Sequence, residues 1–148
     1  MPRVSSERVN EAITVIRNSG SRITVDRRAV VEALDHSSDH VTAEQLAEAV
    51  WVEHPDINLA TIYRTLELLE RLEIAFHVHL GHGPSRWHLA GDVHHHLVCE
   101  SCDRVEEIPD STFDPLRKRL RAETGFVIDP HHFSLSGLCE DCAAKSGN

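Results

Sequence analysis

The chain has 148 residues, 41% hydrophobic and 26% charged, a composition that fits one globular domain or two small ones. Its apolar runs reach only about four residues, as in Ala49-Val50-Trp51-Val52, where a membrane span needs roughly 20. The segment Met1–Glu7 also lacks the apolar stretch of a secretory signal, so a cytoplasmic, reducing setting is expected. The net charge of −9 argues against a non-specific nucleic-acid binder, which carries a basic surface.

Residues 6–19 are predicted to form a helix, with Val9, Ala12, Ile13 and Ile16 on one apolar face and Gly20 as the stop. Thr24 caps a second helix through Asp35. Thr42 and Gln45 form a capping-box pair that opens a third, from Ala43 to Glu53, and His54-Pro55 ends it. Asn58 caps a fourth helix through Leu72, with Leu59, Ile62, Tyr63, Leu66, Leu69 and Leu72 forming its stripe. Residues 75–80 and 85–89 then alternate as strands around Gly81-His82-Gly83-Pro84. Four helices followed by a hairpin suggest a winged helix-turn-helix over residues 1–90, the fourth helix entering a major groove by its N-terminal end. A helical bundle with a β appendage fits the same periodicity. Residues 1–83 hold 8 Arg against 13 Asp or Glu. DNA binding there requires either that Arg22, Arg27, Arg28 and Arg64 share one side, or that a bound metal adds positive charge.

A second module, 91–148, is expected to have strands at 96–99, 104–108, 126–128 and 132–138, a helix from Thr112 to Thr124 ended by Gly125, and a frayed tail over 144–148. With under 60 residues it needs a staple beyond its core. Cys99-Glu-Ser-Cys102 and Cys139-Glu-Asp-Cys142, the only cysteines in the chain, supply one. In a reducing compartment such pairs hold metal more often than disulfides. Two bidentate CxxC turns complete a closed tetrahedral site, the signature of a structural zinc. The 36 intervening residues exceed a zinc ribbon and fit a strand–helix–strand excursion whose ends return side by side.

Twelve histidines add a second kind of donor, concentrated in His77-Val-His79-Leu-Gly-His82 and His94-His95-His96. On extended chain, His77 and His79 share a face, and so do His94 and His96. Such i, i+2 pairs beside a cysteine knuckle point to metal binding, whereas His36 and His54 read as surface residues. Nitrogen donors suit Ni, Co, Zn and Cu(II), and carboxylates such as Asp92, Glu106, Glu107 and Asp114 shift the balance toward Fe and Mn. Neither H-E-x-x-H nor H-x-E with P-C-x-x-C occurs, which argues against a zinc hydrolase or deaminase and against an enzyme generally.

Several of these motifs together resemble the ferric uptake regulator (Fur) family of metal-dependent repressors: Gly20-Ser-Arg22-Ile-Thr24, His40-Val-Thr-Ala-Glu44, Leu59-Ala-Thr61-Ile-Tyr63-Arg64-Thr65-Leu66, His94-His-His-Leu-Val-Cys99-Glu-Ser-Cys102 and Cys139-Glu-Asp-Cys142. The resemblance covers nearly the whole chain. It implies an α+β fold, an N-terminal winged helix joined to a C-terminal α/β dimerisation domain. It also implies a homodimer on a pseudo-palindromic double-stranded DNA operator. A regulatory site at the hinge would fall on His40, His88, His94, His96 and Glu107, with His88 where the family usually has glutamate. Val93 and His95 replace a common histidine and aspartate of a second regulatory site, while Asp114 and His131 keep plausible ligand types. The stretch His77-Val-His79-Leu-Gly-His82 and the late His132-Phe133 look closest to the nickel-responsive (Nur) branch. That likeness implies a second site on His77, His79 and His131 or His132, with Ni2+ favoured and Zn2+ or Fe2+ as alternatives. The DNA contacts carried over are Arg22, Thr61, Tyr63, Arg64 and Thr65. The expected function is a metal-dependent repressor of metal-homeostasis genes. A metal store or chaperone without a DNA role is the remoter alternative, and it leaves Thr61–Leu66 unexplained.

Overall fold

The computed structural model describes residues 6–37, 40–91, 93–128 and 134–147. They fall into two compact units. Unit 1 comprises 1–77 and 85–90; unit 2 comprises 78–84 and 91–148. The fold is α+β, with a helical N-terminal part and a sheet-bearing C-terminal part.

Unit 1 is built from α1 (Glu7–Asn18), α2 (Val25–His36), α3 (Ala43–Trp51), α4 (Leu59–Arg71) and the paired strands β1 (Ala75–Val78) and β2 (Arg86–Leu89), except that Val78, the last residue of β1, is counted in unit 2. Each helix starts on a side chain that accepts one of the otherwise unsatisfied first-turn N–H groups. The acceptors are Ser6 for Val9 N–H, Thr24 for Arg27 N–H, Thr42 for Gln45 N–H and Asn58 for Thr61 N–H. At Thr42 the capping box is complete, because Gln45 returns its side-chain oxygen to the Thr42 N–H at 3.0 Å. The inward stripes meet in one core running from Val9 and Ile16 through Val30, Leu46, Ile62 and Leu66 to Trp87 and Leu89. The third helix stops at Trp51, short of the expected Glu53. Its last turn is closed by His54 N–H to the Val50 carbonyl, and Pro55 forbids continuation. The Trp51 indole N–H donates to the Ile57 carbonyl at 2.5 Å and fastens the connection to α4.

Glu73 takes the left-handed conformation (φ 57°) to turn the chain from α4 into β1. The wing joins the helices through a bridge between Val41 and Trp87, with reciprocal backbone bonds of 3.1 and 2.7 Å.

Unit 2 carries the sheet β4–β3–β5, formed by β3 (His94–Cys99), β4 (Val105–Pro109) and β5 (Ser134–Gly137). A 3-10 turn (Asp110–Phe113) leads into α5 (Asp114–Thr124), which ends at Gly125 in the left-handed conformation (φ 73°). Strand β3 pairs antiparallel with β4 and parallel with β5, with Cys99 opposite Gly137. Two expectations fail here. Residues 126–128 are not a strand: β3 already has a neighbour on each side, and Phe126 and Val127 lie exposed instead. The C-terminal segment is a helix, α6 (Glu140–Ser146), started by Cys139 and closed by Gly147 at φ 74°, not a frayed tail from Ala144. No helix among the described residues is long and apolar enough to cross a membrane.

Candidate metal centres

Sheet pairing delivers the cysteines to one place. Cys99 ends β3 and Cys102 follows in the tight turn to β4, where Cys99 N–H bonds the Arg104 carbonyl at 2.8 Å and Asp103 N–H the Cys99 carbonyl at 3.0 Å. Cys139 follows β5, and Cys142 sits in the first turn of α6. The four sulfurs all lie within 4.8 Å of one another, with Cys102 and Cys139 3.8 Å apart. A tetrahedral zinc with Zn–S bonds of about 2.3 Å requires S···S separations of about 3.8 Å, so the donor set fits that ion. The electrostatics agree. The Cys139 N–H, 3.4 Å from the Cys99 sulfur, leads the amides that hold the Cys99 thiol down to about 6. The Arg104 amide also favours a Cys102 thiolate, but the adjacent Cys99 sulfur and burial outweigh it and push Cys102 up to about 12. Cys142 is raised as well: hydrogen bonds from Ser101 and Cys102 lower it, but Cys139, burial and Cys99 prevail. One thiolate forms readily and opposes the rest, so only a cation lets all four ionise.

Beside this cluster on β3, His94, His96 and Glu107 each bring a donor within 4.8 Å of the others. The sheet explains it: His96 is opposite Glu107 across the β3–β4 ladder, and His94 shares the face of His96. The His94 and His96 ring centroids are 4.9 Å apart, and His94 Nε2 is 3.8 Å from a Glu107 carboxylate oxygen. In unit 1, the bridge between Val41 and Trp87 brings the rings of His40 and His88 to 4.5 Å.

His77 and His79 differ in surroundings. His77 Nδ1 lies 2.5 Å from a Glu70 carboxylate oxygen on α4, and its ring is 5.1 Å from Trp87. The His79 carbonyl accepts from the Ser134 hydroxyl at 3.4 Å. His131 and His132 lie outside the described residues.

His95, which points to the opposite face from His94 and His96, is 1% exposed. It bonds an Asp110 carboxylate oxygen at 2.6 Å and packs edge-on against Phe113. Arg117 on α5 closes this group by ion-pairing with Asp110 and donating to the Asp110 backbone carbonyl at 2.9 Å. Arg117, then His95, hold the Asp110 carboxyl below the usual carboxylate range. Asp114, a plausible ligand by sequence, stands 3.7 Å from the same guanidinium. No local pattern signals the Asp110–Arg117 pair, whose members lie seven residues apart on different elements.

On α4, Tyr63 and Arg64 are exposed on the first two turns, and Tyr63 is 40% exposed despite its place in the apolar stripe. Its hydroxyl donates to a Glu44 carboxylate oxygen at 2.8 Å. Thr61 is half-buried. Thr65 is 3% exposed, with its hydroxyl bonded to the Thr61 carbonyl at 2.9 Å, so it faces the core and not the surface expected of a DNA contact. Arg22 is exposed, and its carbonyl accepts from Arg27.

A sequence profile described as the ferric uptake regulator family matches residues 18–136. The chain belongs to that family. It is 34% identical to the ferric uptake regulation protein of Bacillus subtilis (strain 168) over 143 residues, 93% of this chain and 96% of that one. It is 31% identical to the peroxide-responsive repressor PerR of Staphylococcus saprophyticus over 137 residues, 93% of each. The solved structure of the Helicobacter pylori ferric uptake regulator shares the fold, with a TM-score of 0.75 at 20% identity over 96% of this chain and 97% of that one. As a member of the Fur family, the chain is a metal-responsive transcriptional regulator and not an enzyme.

Proposed function

We propose that this chain is a cytoplasmic, metal-dependent repressor that binds a pseudo-palindromic operator as a homodimer, with nickel as its regulatory metal. The observation that carries the reading is the nitrogen-rich donor set: two pairs of neighbouring imidazoles, His40 with His88 and His94 with His96, and one carboxylate, Glu107. Imidazole suits nickel, and the histidine at position 88 adds nitrogen to the set. Cys99, Cys102, Cys139 and Cys142 are the ligands for a structural zinc. When bound, the regulatory ion supplies positive charge and a cross-link. Its donors are divided between the units: His40 and His88 belong to unit 1, His94, His96 and Glu107 to unit 2. Metal shifts the pair toward the DNA-binding state only by its higher affinity for that state. His77 and His79, with His131 or His132, are the donors proposed for a second nickel site.

Unit 1 supplies the reading head, Tyr63 and Arg64 at the N-terminal end of α4, with Arg22 and Thr61 beside them. Arg64 suits guanine or phosphate. Leu97 and Leu135, paired across β3 and β5, are half-exposed on one sheet face. With Leu138, Arg104 and Glu106 they line an open cavity of about 500 Å³, a surface suited to a second copy.

Glu107 beside His94 favours the second reading, in which iron or zinc is the effector. Mobility shift on DNA upstream of the protein's own gene, titrated separately with Ni, Zn, Fe(II) and Mn, decides among them. Nickel alone should give the shift, and His77→Ala with His79→Ala should abolish it. A response to zinc or iron alone replaces the nickel assignment, and equal binding with and without every metal removes the regulatory reading altogether.

A further inference from the structure

Tyr63 stands at the front of the reading helix, yet its hydroxyl is already engaged. Tyrosine has one O–H to donate, and Tyr63 donates it to Glu44 at 2.8 Å. The pair joins the first turn of α3 to the second turn of α4, 19 residues apart. Both side chains are exposed, so the bond lies on the surface and not in the core. Its electrostatics are mutual: the Tyr63 hydroxyl leads the influences that hold the Glu44 carboxyl below its usual range, and Glu44 leads those that raise Tyr63. A carboxylate beside a DNA-reading residue is costly, since it repels phosphate, and this chain is already acidic.

An unengaged tyrosine hydroxyl donates readily to phosphate oxygens, a contact that positions a protein without reading sequence. With its O–H held, Tyr63 has no donor left for phosphate, and its apolar ring edge can recognise the thymine methyl in the major groove. The Glu44 carboxylate keeps phosphate away from the same spot, because an ionised carboxylate can only accept hydrogen bonds and repels another anion.

We propose that Glu44 is a specificity-determining residue of the reading head, which withholds the Tyr63 hydroxyl from phosphate and so turns Tyr63 from a backbone anchor into a base reader. This rests on the DNA-reading role given to α4 above. Glu44→Ala removes both the anchor and the charge. Glu44→Gln keeps an acceptor and removes only the charge. Tyr63→Phe keeps the ring without the hydroxyl. Glu48→Ala removes the same charge one turn along α3, at another exposed position, and serves as the control.

The assay is fluorescence anisotropy on two duplexes, one selected from a random library by the metal-loaded wild-type protein and one of scrambled sequence. The readout is the ratio of the two affinities, which a purely structural role for Glu44 does not move. Glu44→Ala should bind scrambled DNA about five-fold more tightly, the net worth of one freed hydrogen bond, while the selected duplex gains less, so the ratio falls. Tyr63→Phe should keep both affinities within about two-fold, because a hydroxyl held by Glu44 makes no bond to DNA, whereas losing such a bond would cost about five-fold. In the double variant the extra non-specific affinity should fall back to the level of the Glu48→Ala control, the part owed to charge alone, and Glu44→Gln should fall between wild type and Glu44→Ala. The idea is overturned if Glu44→Ala and Glu48→Ala strengthen both duplexes equally, which makes Glu44 bulk charge. It is also overturned if Tyr63→Phe weakens both, which puts the hydroxyl on phosphate. Should the wild-type protein itself not select any sequence, the failure lies with the DNA-reading role and not with Glu44.

Discussion

Withdrawing zinc from the four-cysteine cluster should unfold unit 2 and leave unit 1 standing. Unit 1 has a continuous apolar core from Val9 to Leu89. The described residues of unit 2 bury far less: Val78, Val98 and Phe113 are its buried aliphatic and aromatic side chains. At about 1.5–3 kcal/mol each, those three contribute about 5–9 kcal/mol, against about 10–16 kcal/mol for a structural zinc near neutral pH. Even at free zinc about a thousand-fold above Kd, linkage adds about 4 kcal/mol. For a unit of this size that moves the midpoint by about 16–32 °C. Calorimetry should therefore show two transitions, the lower one absent in EDTA and in a Cys102→Ser/Cys142→Ser variant. Trp51 and Trp87 both belong to unit 1, so tryptophan emission follows that unit alone. If zinc raises the tryptophan-monitored transition as much as the other, or leaves both unmoved, the assignment of the cluster as the staple of unit 2 is wrong.

Zinc uptake should also release protons. Cys102 and Cys142 are held protonated in the metal-free cluster near neutral pH, while Cys99 is largely ionised there. Titration calorimetry in buffers of differing ionisation enthalpy should report about two protons or more per ion, and affinity should weaken as pH falls; release of none contradicts the thiol picture. In a Trp51→Phe background, nickel bound through His77 should quench Trp87, whose ring is 5.1 Å away, whereas closed-shell zinc should not. Equal quenching in His77→Ala would exclude His77 as a ligand. Arg117→Ala strips the charged partner from Asp110 and should lower the unit 2 midpoint. Arg117→Lys should recover only part, since an ammonium lacks the planar fork of donors; full recovery would mean charge alone matters there.

What the sequence made legible is what local physics decides. Thr24, Thr42 with Gln45, and Asn58 announce their helices because capping is a contact over three residues. The CxxC pairs are equally local, and their convergence follows once a strand–helix–strand path is assumed. The misses are tertiary. Phe126 and Val127 have strand-like composition but no partner strand among the described residues. Helix α6 is short and buries no residue, so it carries no apolar stripe to read. The family resemblance puts Thr65 among the DNA contacts, but helical phase turns it inward. The pairs Glu44–Tyr63, Glu70–His77 and Asp110–Arg117 depend on how elements pack, and nothing in the residue order foretells them.

The parallel ladder that sets Cys99 opposite Gly137 has a consequence for assembly. A slip of one residue between β3 and β5 would carry Cys139 about 3.3 Å along the strand and turn alternate side chains to the other face. Four sulfurs within 4.8 Å of each other could not survive that shift. The thiolate cage thus proofreads strand alignment: chains paired out of step bind zinc poorly and stay open to rearrangement, and only the correctly threaded one is sealed.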